Sequence, residues 1–356
     1  MLRPALLSLT LLATLTACSD SAPPAKTALE PMAAASTALS EALILPVYTR
    51  WSEANRALAD SARALCAGEQ TLDAARQRYL DVHHSWAALQ PVAFGPLAEG
   101  NLAWQVQFWP DKKNLVARQV TTLLDTHPAL SSTDLRQASV VVQGLTAYEY
   151  LLFDASIDLQ ALEQKRRYCP LLLGIATHQQ ALSTDVLAAW LGEQGLAAQL
   201  RQFPNARYAE GREAIAELLQ TQVTALDMLK RKLNTPLPPA GKAVQPYQAE
   251  AWRSGASLAL IDSTLQSGQQ LWQQGLRELL SPEQADLATR LDAAWNETRQ
   301  RLAALGAPLS ELLTHEEGRA SLRSLYDSLE QLHRLHEAEL ARALGITLGF
   351  NAHDGD

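Results

Sequence analysis

Apolar residues recur along this chain at spacings of three and four, the period of an amphipathic helix. One stripe runs Leu43, Ile44, Val47, Trp51, Ala54, Leu58, and another Val140, Gly144, Tyr148, Leu151. Further stripes run Ile215, Leu218, Leu219, Val223, Leu226, Leu229, then Leu258, Ile261, Leu265, Leu271, then Leu287, Leu291, Ala294, Ala303. Sustained alternation is missing, and β-branched runs are confined to short stretches such as Val140-Val141-Val142. The pattern predicts an all-α fold of long antiparallel helices, two packed up-and-down helical bundles. Their boundary is the stretch from Asn234 to Pro246, where four prolines stop any helix. That divides the chain into a first bundle over 38–233, a Pro-rich linker over 234–247 and a second bundle over 248–356. A second interruption, Gln90 to Asp111, holds Pro91, Gly95, Pro96, Gly100 and Pro110. Long irregular segments inside compact domains tend to be functional, and Phe94, Trp104, Phe108 and Trp109 should hold this one down.

The first residues carry a different signal. Met1 to Ala17 has one basic residue, Arg3, then a short apolar run, and reads as a signal peptide too short for a permanent membrane span. Leu15-Thr16-Ala17-Cys18 resembles a bacterial lipobox, which would make Cys18 the lipidated N-terminus; the alternative is an ordinary cleaved signal that contains a cysteine. Residues 18–37 are small, polar and Pro-bearing, and are expected to form a flexible tether. Ser19 after the cysteine points to the outer membrane and a periplasmic location.

Composition narrows the function. With 30 basic and 38 acidic residues among 356, net −8, the chain lacks the basic footprint of a nucleic-acid binder. Three cysteines are too few for a disulfide scaffold and too dispersed for a zinc ribbon. Export would put Cys66 and Cys169 in an oxidising compartment, where they either pair as a disulfide or remain buried thiols.

Most catalytic patterns are missing: no phosphate loop, no nucleophile elbow, no dinucleotide fingerprint. His315-Glu316-Glu317-Gly318-Arg319 starts like a zinc-protease helix, but Arg319 stands in the place of the second ligand. His333, His336 and Glu337 share a helix face that could bind metal, although a solvated face with internal charge pairs explains them as well. His83 and His84 diverge and read as surface or core residues. Within Phe108 to Arg118, Asp111 suits a helix N-terminus. Ser139 to Leu152 reads as a strongly apolar helix containing Gly144 and Glu149; a buried carboxylate there must be paired, hydrogen-bonded or metal-bound.

Phe108 to Asn114, Gln143 to Leu152, and the C-terminal Gly345 to Asn351 with Asp354-Gly355-Asp356 together resemble the imelysin family. The resemblance implies an exported bacterial protein, often a lipoprotein, of two helical bundles, in a family named for a metallopeptidase and associated with iron acquisition. The family signature, Gly-x-His-x-x-Glu, falls on Gly144 to Glu149, with Thr146 where the histidine should stand. A neutral hydroxyl is a poor ligand for zinc or iron. The expectation is therefore a non-catalytic envelope protein that binds a small ligand or protein partner, with no assigned cofactor. Its pocket would comprise Asp111, Arg118, Thr146, Tyr148 and Glu149, with Asn351 and Asp354 contributing. Arg118 would hold an anion or pair with Glu149. The competing expectation is a peptidase with Glu149 as general base and a metal held by His333 and His336.

Overall fold

In the computed structural model the described residues are 30–237, 239 and 242–349. The signal peptide, Cys18, Asn351 and Asp354 lie outside them. The first helix, α1 (Pro31–Leu39), starts earlier than the composition suggests. Pro31 occupies its first turn, and the Glu30 carboxylate accepts from Met32 N and Ala33 N, both at 3.1 Å. Ala33, Ser36 and Leu39 are buried, and Ser36 Oγ donates to Leu200 O at 2.7 Å. The stretch 31–37 is thus part of the folded body, because Ala33 and Ser36 share a buried face with Leu39, and the expected tether to residue 37 is corrected there.

A π-helical turn, Ser40–Ile44, carries α1 straight into α2 (Leu45–Ala67), which ends at Gly68 with φ +83°. Next comes α3 (Leu72–Leu89), capped by Thr71. Three 3₁₀ turns and α4 (Leu102–Val106) fill the Pro/Gly-rich segment, followed by α5 (Leu115–Thr126) and α6 (Ser132–Gln137). The predicted single helix over 139–152 is broken: a 3₁₀ turn over Val140–Val142 precedes α7 (Leu145–Phe153), with Gly144 extended between them. A Cβ on Gly144 would sit 2.5 Å from Val106 O and 2.9 Å from Gln105 O. Only glycine lets the end of α4 press onto the start of α7, and the Gln179 amide clamps this crossing by donating to Gln105 O and Gln143 O.

The chain continues with α8 (Leu162–Leu191), α9 (Leu196–Gln199) and α10 (Gly211–Asn234), then α11 (Ser257–Leu271) and α12 (Ala285–Ala303). It closes with α13 (Leu309–Leu312), α14 (Glu316–Arg334) and α15 (Ala341–Ala343), the last two joined by a π-helical turn. No strand occurs among the described residues, so the fold is all-α. In the first half α2 packs on α3 and α8, and in the second α12 packs on α14. Across the Pro-rich segment, α3 meets α11, and α10 meets α14. One buried apolar core runs through both halves. The prolines therefore interrupt the helices without separating two cores. Cys66, at the end of α2, is disulfide-bonded to Cys169 near the start of α8, with Cα atoms 5.8 Å apart.

Candidate functional site

Three segments meet where α4 crosses α7: the face of α3, the loop 105–111, and the turn 246–256 that leads into α11. Thr146 and Glu149, three apart on α7, lie on one face of that helix and line a narrow pocket of about 10 Å³, room for roughly one water. His83, Gln107, Trp109, Asp111 and Arg253 line it as well.

Glu149 is buried and held from across the pocket: its Oε1 accepts from Ser254 N and Ser254 Oγ, both at 2.8 Å. Burial pushes its carboxyl above the ordinary value, opposed by the two Ser254 bonds and by Arg253. Arg253 is fixed by Asp154 at 2.8 Å and by cation–π contacts with Trp252 and Tyr150. The raised value has a signed consequence. A carboxyl whose folded pKa exceeds its unfolded one makes stability fall as pH rises from the unfolded value, about 4.3, through the folded one. Glu149→Gln keeps an oxygen for Ser254 and removes the titration. The variant should match the wild type in denaturant melts at pH 4 and exceed it at pH 8; a loss of stability at pH 8 would contradict this reading.

Beside Glu149 lies a second buried network whose proton positions follow from one donor. Trp86 Nε1 can only donate, and it reaches Gln107 Oε1 at 2.8 Å. The Gln107 NH₂ group must then face the other way, donating to His83 Nε2 at 2.9 Å and Glu250 Oε1 at 2.9 Å. His83 Nε2 is thus an acceptor, and its Nδ1–H donates to Tyr79 Oη at 2.8 Å. Burial holds the imidazole neutral, its pKa pushed down to about 4 against the pull of Glu250. Burial alone would raise the Glu250 carboxyl, but the charge of Lys232 and the Gln107 bond keep it below the ordinary range. Lys232 Nζ lies 2.8 Å from Glu250 Oε2.

Of the residues expected here, Asp111, Thr146 and Glu149 come together in the pocket. Asp111 also caps α5, accepting from Leu115 N at 2.6 Å and Val116 N at 3.3 Å. Two others are directed elsewhere by helical phase. Arg118 is exposed, because α5 buries Val116, Val120 and Leu124, and a position two past Val116 faces away. The cation near Glu149 is Arg253 instead. Tyr148 points into the core, stacked on Tyr79 with ring centroids 6.0 Å apart, rather than offering its hydroxyl to the pocket. His83, Gln107, Lys232, Glu250, Arg253 and Ser254 were not foreseen; the only signal was that Gln107 and Glu250 are polar residues next to tryptophan-bearing irregular segments.

His333 and His336 are buried, not solvated. His336 lies edge-on to Trp272 and Trp295 and bonds Leu332 O through Nδ1 at 2.9 Å. His333 Nδ1 lies 3.3 Å from the Lys230 ammonium. The family signature implies a metal, but the donors at Glu149 do not suit one. Thr146 spends its hydroxyl on Phe108 O at 2.7 Å, the His83 Nε2 lone pair is taken by Gln107, and one Glu149 oxygen is taken by Ser254. Among the described residues no group of three or more His, Cys, Asp or Glu side chains is placed to hold an ion.

Comparison with known proteins places this site in context. The family profile described as Imelysin matches residues 44–336. An imelysin-like protein from Psychrobacter arcticum 273-4 has a crystal structure that superposes with TM-score 0.76 at 23% identity, covering 90% of this chain and 97% of that one. A second crystal structure, of a protein provisionally named an iron-regulated protein A precursor from Parabacteroides distasonis ATCC 8503, superposes with TM-score 0.71 at 15% identity, covering 89% and 97%. At these identities the likeness is one of fold. No curated protein matches the chain.

Proposed function

Because the chain belongs to the imelysin family, we propose that it is a non-catalytic binding protein of the cell envelope, taking a small ligand at the pocket beside Glu149. The observation that carries this reading is Thr146. At the signature's histidine position the chain has a hydroxyl that donates to Phe108 O at 2.7 Å, so Glu149 lacks the imidazole one turn away on α7, and the His83 imidazole that lines the same pocket has its Nε2 lone pair taken by Gln107. What remains is a pocket with room for one small polar group of a ligand, lined by fixed donors and acceptors that can hydrogen-bond it.

On this reading the protein is exported by the signal at 1–17, lipid-anchored through Cys18 and tethered in the periplasm, with the outer membrane as its surface. The Cys66–Cys169 bond fits an oxidising compartment. An iron-uptake setting is supported by the name of the Parabacteroides structure, which describes that protein as iron-regulated. The alternative is a metallopeptidase with Glu149 as base and a metal held by His333 and His336. Against it, the Lys230 ammonium beside His333 repels a cation, and neither histidine shares a partner with Glu149.

Digestion of a peptide library by the purified chain, with added zinc, tests the choice. The binding reading predicts the same peptide profile as a buffer control. Cleavage that disappears in Glu149→Gln would establish the peptidase instead.

A further inference from the structure

Next to the narrow pocket, and sharing Gln107 and Trp109 with it, opens a cleft of about 660 Å³. That is the size of a site for a small organic molecule. Flat or apolar side chains line it: Trp86, Trp104, Trp109 and Met228. Trp104 is 47% exposed, a large apolar ring left open on an acidic chain. The charges lining the cleft run against that acidity. Lys112, Arg231 and Lys232 face a single carboxylate, Glu250. Lys232 is neutralised by Glu250 at 2.8 Å, and Arg231 shares Asp227 at 3.0 Å. Lys112, exposed at the rim next to Trp109 and Pro110, forms no ion pair with any described residue.

From this juxtaposition of indole walls and a rim ammonium we infer that the cleft binds a small anion built on a flat, apolar ring system. The ring lies against Trp104 and Trp109, where aromatic stacking adds to area burial. The anionic group sits at Lys112, where a charge-assisted hydrogen bond is available and no other charge competes. A cationic ring would meet the unpaired Lys112 ammonium instead, and a small anion without a ring would leave the tryptophans uncovered. The inference deepens the binding-protein reading and rests on it, since it names the ligand class for the vestibule of that site.

The test is a titration followed by tryptophan fluorescence at low salt, with 2-naphthoate as probe, 2-naphthylmethylamine as its cationic counterpart and acetate as the ringless anion. Naphthoate should quench saturably and bind at least tenfold tighter than either comparator. Lys112→Glu should weaken naphthoate at least tenfold, and Trp104→Ala at least fivefold. Arg118→Glu, the same charge reversal on the exposed face of α5, should leave it within twofold. Absence of saturable binding, equal or tighter binding of the amine, or indifference to both cleft substitutions would each overturn the inference. Peptide cleavage assayed on the same preparations keeps the two claims apart. Cleavage lost in Glu149→Gln refutes the binding-protein reading, whereas failure of naphthoate alone refutes only the ligand class.

Discussion

Replacing Lys232 with methionine should destabilise the protein by about 3–5 kcal/mol at neutral pH, the cost of leaving one member of a buried ion pair uncompensated. The side chains of Lys232 and Glu250 are 6% and 3% exposed. Apart from the Lys232 ammonium, no hydrogen-bond donor among the described residues reaches Glu250 Oε2, so the ammonium is that oxygen's sole compensation. The penalty carries a pH signature. In the wild type Lys232 and Gln107 outweigh burial and hold the Glu250 pKa low, so the pair's contribution is present above the unfolded value, about 4.3, and lost as pH falls through the folded one. In Lys232→Met burial acts almost alone and Glu250 takes up a proton. Denaturant melts of the two proteins should therefore converge towards pH 4 and diverge as pH rises. Adding Glu250→Gln to the variant should recover most of the loss, because an amide pairs with Gln107 without a charge to neutralise. A double variant no more stable than the single one would show that Lys232 acts by packing its methylenes.

Breaking the Cys66–Cys169 bond is the other change of comparable size. It closes a loop with a sequence separation of 103, for which the chain-entropy argument gives about 4.7 kcal/mol at 25 °C. For a chain of this size that corresponds to a fall in Tm of roughly 7 °C. The bond ties the end of α2 to the beginning of α8, two helices already packed along their length, so its loss should lower the melting point without changing the fold. Cys66→Ser with Cys169→Ser should melt at the same temperature as reduced wild type. An unchanged Tm under strong reductant would mean that the unfolded chain keeps these segments together without the bond.

The helices were legible from the sequence because their apolar stripes recur at helical period, and Leu43, Val47 and Trp51 or Ile215, Leu218 and Leu226 are buried as their phase requires. The same arithmetic, applied further, would have improved the site. Val116, Val120 and Leu124 set the inner face of α5 and exclude Arg118, while Leu325, Leu329 and Leu332 put His336 in phase with a buried stripe. Glu149 could be singled out because a carboxylate inside an apolar run must find partners. Its partner could not, because Ser254 is 105 positions away, in a turn whose placement depends on how α3 and α11 pack. Gln107, Lys232 and Glu250 come from three separate segments, and each on its own reads as an ordinary polar residue. Where the helices were to be divided also escaped the sequence: four prolines mark a break in the chain, but nothing in their pattern reveals that the core continues past them.

The central claim is that the change to Thr146 leaves Glu149 as a hydrogen-bonded carboxyl rather than half of a metal centre. Its most direct test is the metal content of the purified chain after incubation with zinc or ferrous iron and removal of free ion on a desalting column. The account predicts substoichiometric metal, the same in wild type and Glu149→Gln. One retained equivalent in the wild type that is missing from Glu149→Gln would contradict it.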